Sequence, residues 1–521
     1  MTWKPEVEGI ELRKRLALEQ GGSEAVAKQH AAGRLTVRER VGGLVDPGSF
    51  REQGPMAGHS ETDESGALTS FTPANFVLGF ARIEGRPVIV GGEDFTLKGG
   101  SPSPAGLRKS VFSEEMALRY RLPLVRFLEG GGGSVPRPSS GERKAPPPSA
   151  PPANAPPRFM SIARLLGEVP VVSAAVGATA GFPAARLVAS HFSLMIRETS
   201  QVLIGGPRLV ERAVGQSMTK EELGGYRVHQ ASGVVDNVAN DEKHAFELIR
   251  RFLGYLPTNI SDVAPVTACD DPTGREAEEL LSIVPRERRK VYKMRRVLDA
   301  VLDEGSFFEL TPGWGRTQIT GLARLDGQPV GVMANDPHFY AGAMTADGAQ
   351  KVRRFLDLCD TFHLPIVSFV DEPGFMIGPD AERTATIRHG MAALCAVMQC
   401  SVPFVSVIVR KVFGVAGAAH FGPGGEVFAW PSAESGALPL EGGVAVAFHR
   451  QIAAAPDPEA FRRELEEKLV AQRNPYGRGE GFGANDLIDP RQTRPVLCDW
   501  VDRIQMRLRE HTGPRSYTYR P

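Results

Sequence analysis

The sequence predicts an α/β protein built from two homologous domains in tandem. Two observations lead to this prediction: a long internal repeat, and within each copy an alternation of short apolar strands with amphipathic helices. The segment GFARIEGRPVIV, which begins at Gly79, returns as GLARLDGQPVGV at Gly321. The same offset along the chain carries Glu129 onto Asp371.

A later pair of segments repeats at a slightly shorter offset. The strand-like segment VPVV begins at Val169, and VPFV begins at Val402. The difference between the two offsets arises between Glu129 and Val169, where the first copy carries extra sequence. The repeat therefore continues beyond its best-matched part, and each copy is long enough to form a domain.

Both copies show the same order of predicted elements. A strand pair with a Gly-centred turn is followed by a helix, a short apolar strand, a Gly-rich loop, and a second buried strand that runs into another small-residue loop. In the first copy these elements are 76–95, 106–121, 123–129, 130–133 and 169–185; in the second they are 319–336, 348–362, 365–371, 373–378 and 402–419. Such alternation predicts mostly parallel sheets covered on both faces, which bind ligands at the carboxyl ends of their strands.

The repeat also sets the expected domain boundaries. We predict an N-terminal domain at 1–270 and a C-terminal domain at 285–521, joined by the charged, Pro-containing segment 270–289. A second unusual segment, 134–158, holds nine prolines and no large apolar residue except Val135. Because it cannot bury enough apolar surface to order itself, we expect a mobile surface segment there.

Composition excludes several classes of function. The 61 Lys and Arg residues balance 61 Asp and Glu residues, whereas nucleic-acid binding favours a basic excess. The five cysteines form no Cys-x-x-Cys pair, so we expect neither a metal site nor a disulfide framework. No apolar stretch is long enough to span a membrane, and the start of the chain does not resemble a signal peptide. We therefore expect a cytoplasmic protein.

The small-residue loops are the candidate catalytic elements. The sequence contains no GxSxG, HExxH or P-loop motif that would supply a nucleophile, a metal or a phosphate cradle. Gly and Ala let backbone N–H groups approach a substrate oxygen, and a helix that starts there adds a favourable dipole. A single such loop is more simply explained by strand-to-helix packing. Four loops at equivalent places in two repeats favour oxyanion holes instead.

Several segments resemble those of one known family. They are GEDFTLKGGS (92–101), TKEELGGYRVHQASGVVD (219–236), YKMRRVLDAVLDEGSFFEL (292–310), FVDEPGFMIG (369–378), IRHG (387–390), RKVFGVAG (410–417) and AWPSAE (429–434). On these segments, which are spread over nearly the whole chain, the protein resembles the carboxyltransferase (beta) subunit of biotin-dependent acyl-CoA carboxylases of the propionyl-CoA and methylcrotonyl-CoA type.

The resemblance implies a fold and a reaction. It implies two tandem crotonase-like (ClpP/crotonase) domains and a homo-oligomer, usually a hexamer, with acyl-CoA on the N-domain side and carboxybiotin on the C-domain side. The thioester loses its α-proton, and its enolate attacks carbon dioxide released from carboxybiotin. Two anionic oxygens, on the enolate and on the biotin ureido group, then need hydrogen-bond donors, which agrees with small-residue loops in both repeats.

The resemblance places the two holes on numbered residues. The N-domain hole falls on Gly131 and Gly132, with Gly133 next and with Gly130 where the family has an acid or serine. The C-domain hole follows Gly414, at Val415 and Ala416, although Val415 replaces a smaller residue. Gly417 and Ala418 stand where propionyl-type enzymes carry Tyr-Asp, so we expect a larger acyl pocket. On the helix after the first strand pair, Arg108 and Lys109 are candidates for a CoA phosphate, although a solvated helix face is the simpler explanation.

The resemblance also implies a partner. The chain lacks the family's AMKM biotinyl-lysine motif and shows no ATP-binding loop. Biotin must then arrive on a biotin carboxylase or biotin carboxyl carrier subunit. Two alternatives stay open: the carboxyltransferase component of a biotin-dependent decarboxylase, and a scaffold subunit that no longer catalyses. The sequence does not fix the acyl group.

Overall fold

The computed structural model describes residues 2–131, 159–471 and 474–521. The proline-rich segment 134–158 lies outside this part, so its predicted mobility stays a prediction. Within the described residues the chain divides into two compact units. The first comprises Met1–Ile260 and Thr518–Pro521, and the second comprises Ser261–Tyr517.

The first unit combines helices with one large sheet and a separate hairpin. Its helices are α1 (Lys4–Leu18), α2 (Ser23–Ala31), α3 (Val37–Leu44), α4 (Pro104–Tyr120), α5 (Met160–Leu165), α6 (Phe182–Val188), α7 (Pro207–Val214), α8 (Lys220–Gly224), α9 (Tyr226–Ser232) and α10 (Glu242–Gly254). Its strands are β1 (Arg51–Glu52), β2 (Gly58–Thr62), β3 (Leu68–Pro73), β4 (Phe76–Ile83), β5 (Arg86–Glu93), β6 (Leu124–Gly130), β7 (Val171–Ala180), β8 (Phe192–Ile196), β9 (Gln201–Leu203) and β10 (Asn237–Ala239).

The large sheet of the first unit is mostly parallel, as predicted. Its order is β1-β4-β5-β6-β7-β8-β10, with β9 pairing to the end of β7. The hairpin β4–β5 is antiparallel, and β5 through β8 and β10 run parallel. Every residue of β6 and β8 is buried, which is the burial expected of central strands with helices on both faces.

The second unit has the same kinds of element. Its helices are α11 (Met294–Val301), α12 (Ala346–Thr361), α13 (Pro379–Arg383), α14 (Thr386–Gln399), α15 (Gly414–Gly417), α16 (Leu440–Ala447), α17 (His449–Ala454), α18 (Pro458–Ala471), α19 (Gly477–Glu480), α20 (Thr493–Arg503) and α21 (Gln505–Glu510). Its strands are β11 (Phe308–Leu310), β12 (Gln318–Leu325), β13 (Gln328–Asn335), β14 (Ile366–Glu372), β15 (Phe404–Phe413), β16 (Glu426–Ala429), β17 (Glu434–Gly436) and β18 (Asp486–Leu487).

The second sheet repeats the topology of the first and confirms the internal repeat. Its order is β11-β12-β13-β14-β15-β16-β18, with β17 on the end of β15. Strands β4, β5 and β6 recur as β12, β13 and β14 at the offset that carries Gly79 onto Gly321. Strand β7 recurs as β15 at the shorter offset that carries Val169 onto Val402. The α/β fold class and the tandem arrangement predicted from the sequence are therefore confirmed.

The helix that follows each strand pair starts slightly earlier than the sequence pattern indicates. Helix α4 begins after Ser103, whose side chain accepts a hydrogen bond from the N–H of Gly106. Helix α12 begins after Thr345, which caps Gly348 in the same way. Ser103 and Thr345 are equivalent positions of the two copies, so the repeat preserves its N-caps as well as its strands.

No helix in the described part of the chain is long and apolar enough to cross a bilayer.

Candidate functional site

In the first unit, two adjacent glycines after β6 have different surroundings. Gly130 has φ +126°, and a Cβ there would lie 2.8 Å from backbone atoms of Gly100. At Gly131 a Cβ would meet no described atom within 4 Å. Gly130 is therefore required by the fold, whereas the described residues leave room for a side chain at Gly131. The other two predicted loop residues, Gly132 and Gly133, lie outside the described residues.

A pocket opens beside Gly131 at the carboxyl edge of this sheet. It is a small cleft that is partly open to solvent. Its lining includes Glu93 from the end of β5, Ser110 from α4, and Phe182, Pro183 and Arg186 from α6. The end of one strand and the first turns of two helices thus meet around one space, as expected for a ligand site in a parallel sheet.

A buried ion cluster fixes one wall of this pocket. Glu114 of α4 is fully buried, and its Oε1 accepts hydrogen bonds from Arg186 Nε at 2.9 Å and from Arg126 Nη1 at 3.4 Å. Its Oε2 accepts from the hydroxyl of Ser161 at 2.6 Å. The Arg126 guanidinium also donates to the backbone oxygen of Arg186 at 2.8 Å. The Arg186 side chain is consequently anchored to Glu114 through its Nε beside the pocket.

Two polar atoms in the pocket lining have no partner among the described residues. Glu93 Oε2 and Arg186 Nη2 are both buried without a hydrogen bond. Burial raises the pKa of the Glu93 carboxyl to about 7, although the charges of Arg186 and Arg126 oppose that shift. In this part of the structure no ion pair joins Glu93 to Arg186. Buried polar atoms are normally satisfied, so both mark a place where a ligand can bind.

A second buried cluster holds the end of β6. The carboxylate of Glu129 accepts hydrogen bonds from Arg34 and Arg40 at 2.7 Å and from Gln29 at 3.0 Å. Gly177 on β7 makes room for it, because a Cβ there would lie 2.3 Å from Glu129 Oε1. This cluster ties the N-terminal helices to the strand that leads into the Gly loop.

In the second unit, β15 runs directly into α15 at the predicted hole. Gly414 has φ +61°, a conformation that glycine adopts without strain. Val415 is 53% exposed, whereas Ala416 is 1% exposed. The N–H groups of Val415 and Ala416 belong to the first turn, where no helical carbonyl accepts them. The exposed Val415 side chain points away from the core, so its extra bulk does not widen the turn by internal packing.

Buried charged residues pair between the two strands, β14 and β15, that lead to this loop. Asp371 accepts from the Tyr292 hydroxyl at 3.0 Å and pairs with Arg410 at 3.0 Å. Burial, together with the charge of Asp371, raises the pKa of Tyr292 well above its usual value. Asp371 is the repeat equivalent of Glu129, so each repeat places an arginine-paired acid at the end of this strand.

The neighbouring acid belongs to a second polar network. Glu372 Oε2 accepts from Asn335 Nδ2 at 2.9 Å and lies 3.4 Å from His420 Nε2. Its Oε1 accepts from the backbone N–H groups of Gly374 and Met344 at 3.0 and 3.2 Å. Glu372 and His420 are fully buried. The bond from Gly374 means that Glu372 caps the turn that follows this strand.

The other candidate residues lie in contrasting environments. Arg108 on α4 is exposed, and the described part of the chain offers its guanidinium no partner. Lys109 is buried, donates to the Gly54 carbonyl at 3.1 Å and lies 3.6 Å from Glu52. Burial lowers the pKa of the Lys109 ammonium. Arg108 is thus available to a ligand phosphate, whereas the Lys109 ammonium already has partners within the fold.

The last two candidates follow the second-unit hole. Gly417 is buried and Ala418 is half-buried. Both are small, which is compatible with the predicted larger acyl pocket. Among the described residues, no group of three or more His, Cys, Asp or Glu side chains is placed to hold a metal ion.

The contrast between Arg108 and Lys109 gives a test. For the acyl-CoA substrate that the sequence resemblance implies, Arg108→Ala is expected to raise the KM about fivefold, because an exposed phosphate contact would contribute about 1 kcal/mol. The same variant should leave the KM for the matching acyl-pantetheine unchanged, since that thioester carries no CoA nucleotide. Lys109→Ala should instead lower the unfolding temperature. Equal effects of Arg108→Ala on both thioesters would contradict the phosphate contact.

Comparison with known proteins identifies the relatives of this fold and site. A family model described as "Carboxyl transferase domain" matches residues 28–512. The chain is 34% identical over 504 residues to the carboxyltransferase subunit of propionyl-CoA carboxylase from Haloferax mediterranei, covering 95% of each chain. It is 32% identical to the alpha subunit of methylmalonyl-CoA decarboxylase from Veillonella parvula, again covering 95% of each. The structure of the transcarboxylase 12S hexamer with methylmalonyl-CoA bound matches with a TM-score of 0.85 and 30% identity, covering 100% of this chain and 97% of that one.

Proposed function

The chain belongs to the carboxyl transferase family, and we propose that it transfers the carboxyl group of carboxybiotin to the α or vinylogous carbon of an acyl-CoA. The observation that carries this proposal is the repeated site. Each unit ends the same two parallel strands in glycine-containing turns and pairs a buried acid at the end of the first of these strands with an arginine. Two anionic oxygens arise in this reaction, and the repeat offers one turn for each.

We assign acyl-CoA to the first unit. The pocket beside Gly131 has an arginine donor in its wall, and the exposed Arg108 lies on the helix that lines it. A thioester there would place its oxygen in the pocket and its nucleotide toward α4.

We assign carboxybiotin to the second unit. When bound, biotin supplies the carboxyl group and the base that accepts the α-proton. Its ureido oxygen would fit the turn at Gly414, where first-turn N–H groups are free of helical acceptors and the Ala416 methyl group is buried. Val415 and Ala416 donate there, while Asp371 and Glu372 hold the strand end rigid beneath them. Preorganised donors of this kind stabilise developing charge without rearrangement.

We propose that the active form is a homo-hexamer served by a biotin-bearing partner subunit in the cytoplasm. The related transcarboxylase 12S assembles as a hexamer. Helix α14 presents an exposed apolar stripe of Ile387, Met391 and Met398 in this chain. Such a stripe is typical of a surface that another subunit covers.

The second candidate function is that of a subunit of a biotin-dependent decarboxylase, and the similarity to such a subunit supports it. The decarboxylase alpha subunit from Veillonella parvula is nearly as similar as the carboxylase subunit. Both directions use the same two half-reactions, so the site geometry serves either. Glycine follows the second buried strand in both repeats, at Gly181 and Gly414, and this argues against a scaffold without activity.

The isolated chain is expected to bind acyl-CoA but to incorporate no labelled bicarbonate with ATP, because it has no biotinyl lysine. Adding the co-purified biotin carboxylase and carrier subunit should start incorporation into an acyl-CoA. A matched control omits only biotin from the carrier. Bicarbonate fixation by the chain alone would contradict the proposal, as would a complex that transfers no carboxyl group in either direction with any acyl-CoA.

A further inference from the structure

In the loop that follows the second buried strand, one backbone N–H group is present in the second repeat and missing in the first. Ala416 is the equivalent of Pro183 at the offset that relates β7 to β15. Ala416 carries an N–H in the first turn of α15, whereas proline has none. If the first unit receives the thioester, as proposed above, this loop offers its oxygen one backbone donor fewer than the second unit offers.

An arginine donor lies beside the missing N–H. Arg186 and Pro183 line the same pocket, and Arg186 Nη2 is buried without an acceptor among the described residues. The side chain cannot swing away easily: its Nε is bound to Glu114, and its guanidinium carbon lies 4.2 Å from the ring centre of Phe182. A fixed, desolvated and unpaired N–H is poised for a ligand oxygen.

The acid in the pocket lining does not neutralise this positive charge. Glu93 is the nearby acid in the lining, and it forms no ion pair with Arg186 among the described residues. With its pKa raised to about 7 by burial, its carboxyl is only partly ionised near neutral pH. Arg186 pairs with Glu114, but Arg126 pairs with the same carboxylate, so the single negative charge of Glu114 does not neutralise both guanidinium groups.

We propose that Arg186 is a catalytic residue of the acyl-CoA half-reaction, in which Nη2 donates a hydrogen bond to the thioester oxygen in place of the N–H that Pro183 lacks. This inference rests on the proposed function. When the α-proton leaves to the base, the C–H electron pair forms the carbon–carbon double bond and the carbonyl π pair moves onto oxygen. Arg186 keeps its proton and stabilises that negative charge. The oxygen pair then re-forms the thioester carbonyl, the carbon–carbon π pair forms the new bond to the carbon of the carbon dioxide that carboxybiotin would release, and one C–O π pair of that carbon dioxide moves onto oxygen to give the carboxylate.

The test compares variants in the complete complex with its biotin-bearing partner. Arg186→Met is expected to lower kcat for an unsubstituted acyl-CoA about 100-fold, the usual effect of losing one oxyanion donor. Carboxylation of the carrier biotin should be unchanged. In the double variant, Pro183→Ala restores the backbone N–H and should raise kcat at least about tenfold above that of Arg186→Met alone. Arg126→Met, which also removes a cation from Glu114 without lining the pocket, should show no rescue by Pro183→Ala.

Each result decides the proposal. If Arg186→Met does not fold, Arg186→Lys replaces it, because lysine keeps the pair with Glu114. Near-normal kcat in a folded variant, or no rescue by Pro183→Ala, overturns the role of Arg186. Loss confined to acyl groups that carry a hydroxyl or carboxylate also overturns it, since Arg186 would then bind the acyl chain. If the unmodified complex transfers no carboxyl group, the proposed function fails, and this inference with it.

Discussion

Ala416→Pro is expected to slow carboxyl transfer to or from biotin about 10²–10³-fold, the effect of removing one oxyanion donor. The substitution deletes a single N–H in the first turn of α15, where no helical bond depends on it. The fold already accepts a proline at the equivalent place, since Pro183 lies in the first turn of α6. The chemistry should therefore suffer more than the structure does.

The measurement is the transfer of a carboxyl group from a carboxylated acyl-CoA to free biotin by the isolated subunit. Ala416→Gly is the matched control, because it keeps the N–H and loses only the buried methyl group. The affinity for acyl-CoA should be the same in both variants. If Ala416→Pro transfers within tenfold of Ala416→Gly, the second-unit turn is not the biotin oxyanion hole.

The architecture could be predicted from the sequence because both copies of the repeat show the same pattern of apolar residues. Strands β12 and β13 are the repeat equivalents of β4 and β5, and their offset was readable from two apolar segments around a Gly-centred turn. The loops at the strand ends were equally visible, since Gly and Ala stand out after Val- and Leu-rich runs. Helix starts were misplaced because the caps Ser103 and Thr345 precede the apolar pattern.

The polar interior of the site could not be predicted in the same way. Arg126 was visible inside the apolar strand PLVRFLE, but its partners Glu114 and Arg186 lie on two other elements, 12 and 60 positions away along the chain. Sequence spacing gives no signal for such pairs. Lys109 shows the converse: adjacent to Arg108 in sequence, it turns inward to Gly54 because neighbouring helix residues point in directions about 100° apart.

Glu114→Ala is expected to destabilise the first unit by about 3–5 kcal/mol, the cost of leaving buried charge without its partner. Glu114 is the acid shared by Arg126 and Arg186, and the two arginine side chains are each only 2% exposed. Burial already lowers the pKa of Arg126 to about 10, although Glu114 opposes that shift. Removing the acid would leave two guanidinium groups facing each other in the interior.

Urea unfolding of the assembled subunit, at fixed protein concentration, measures this cost. Glu168→Ala is the control: Glu168 pairs with Arg164 at 3.4 Å on the surface, where side-chain exposures are 31% and 63%, and such pairs contribute at most about 1 kcal/mol. Glu114→Gln should fall between the two, because its amide oxygen still accepts from one arginine. Since Glu114 also orients Arg186, acyl-CoA turnover should fall in any folded fraction. If Glu114→Ala were as stable as Glu168→Ala, the buried Arg126 and Arg186 would not depend on the Glu114 carboxylate, and the prediction would be wrong.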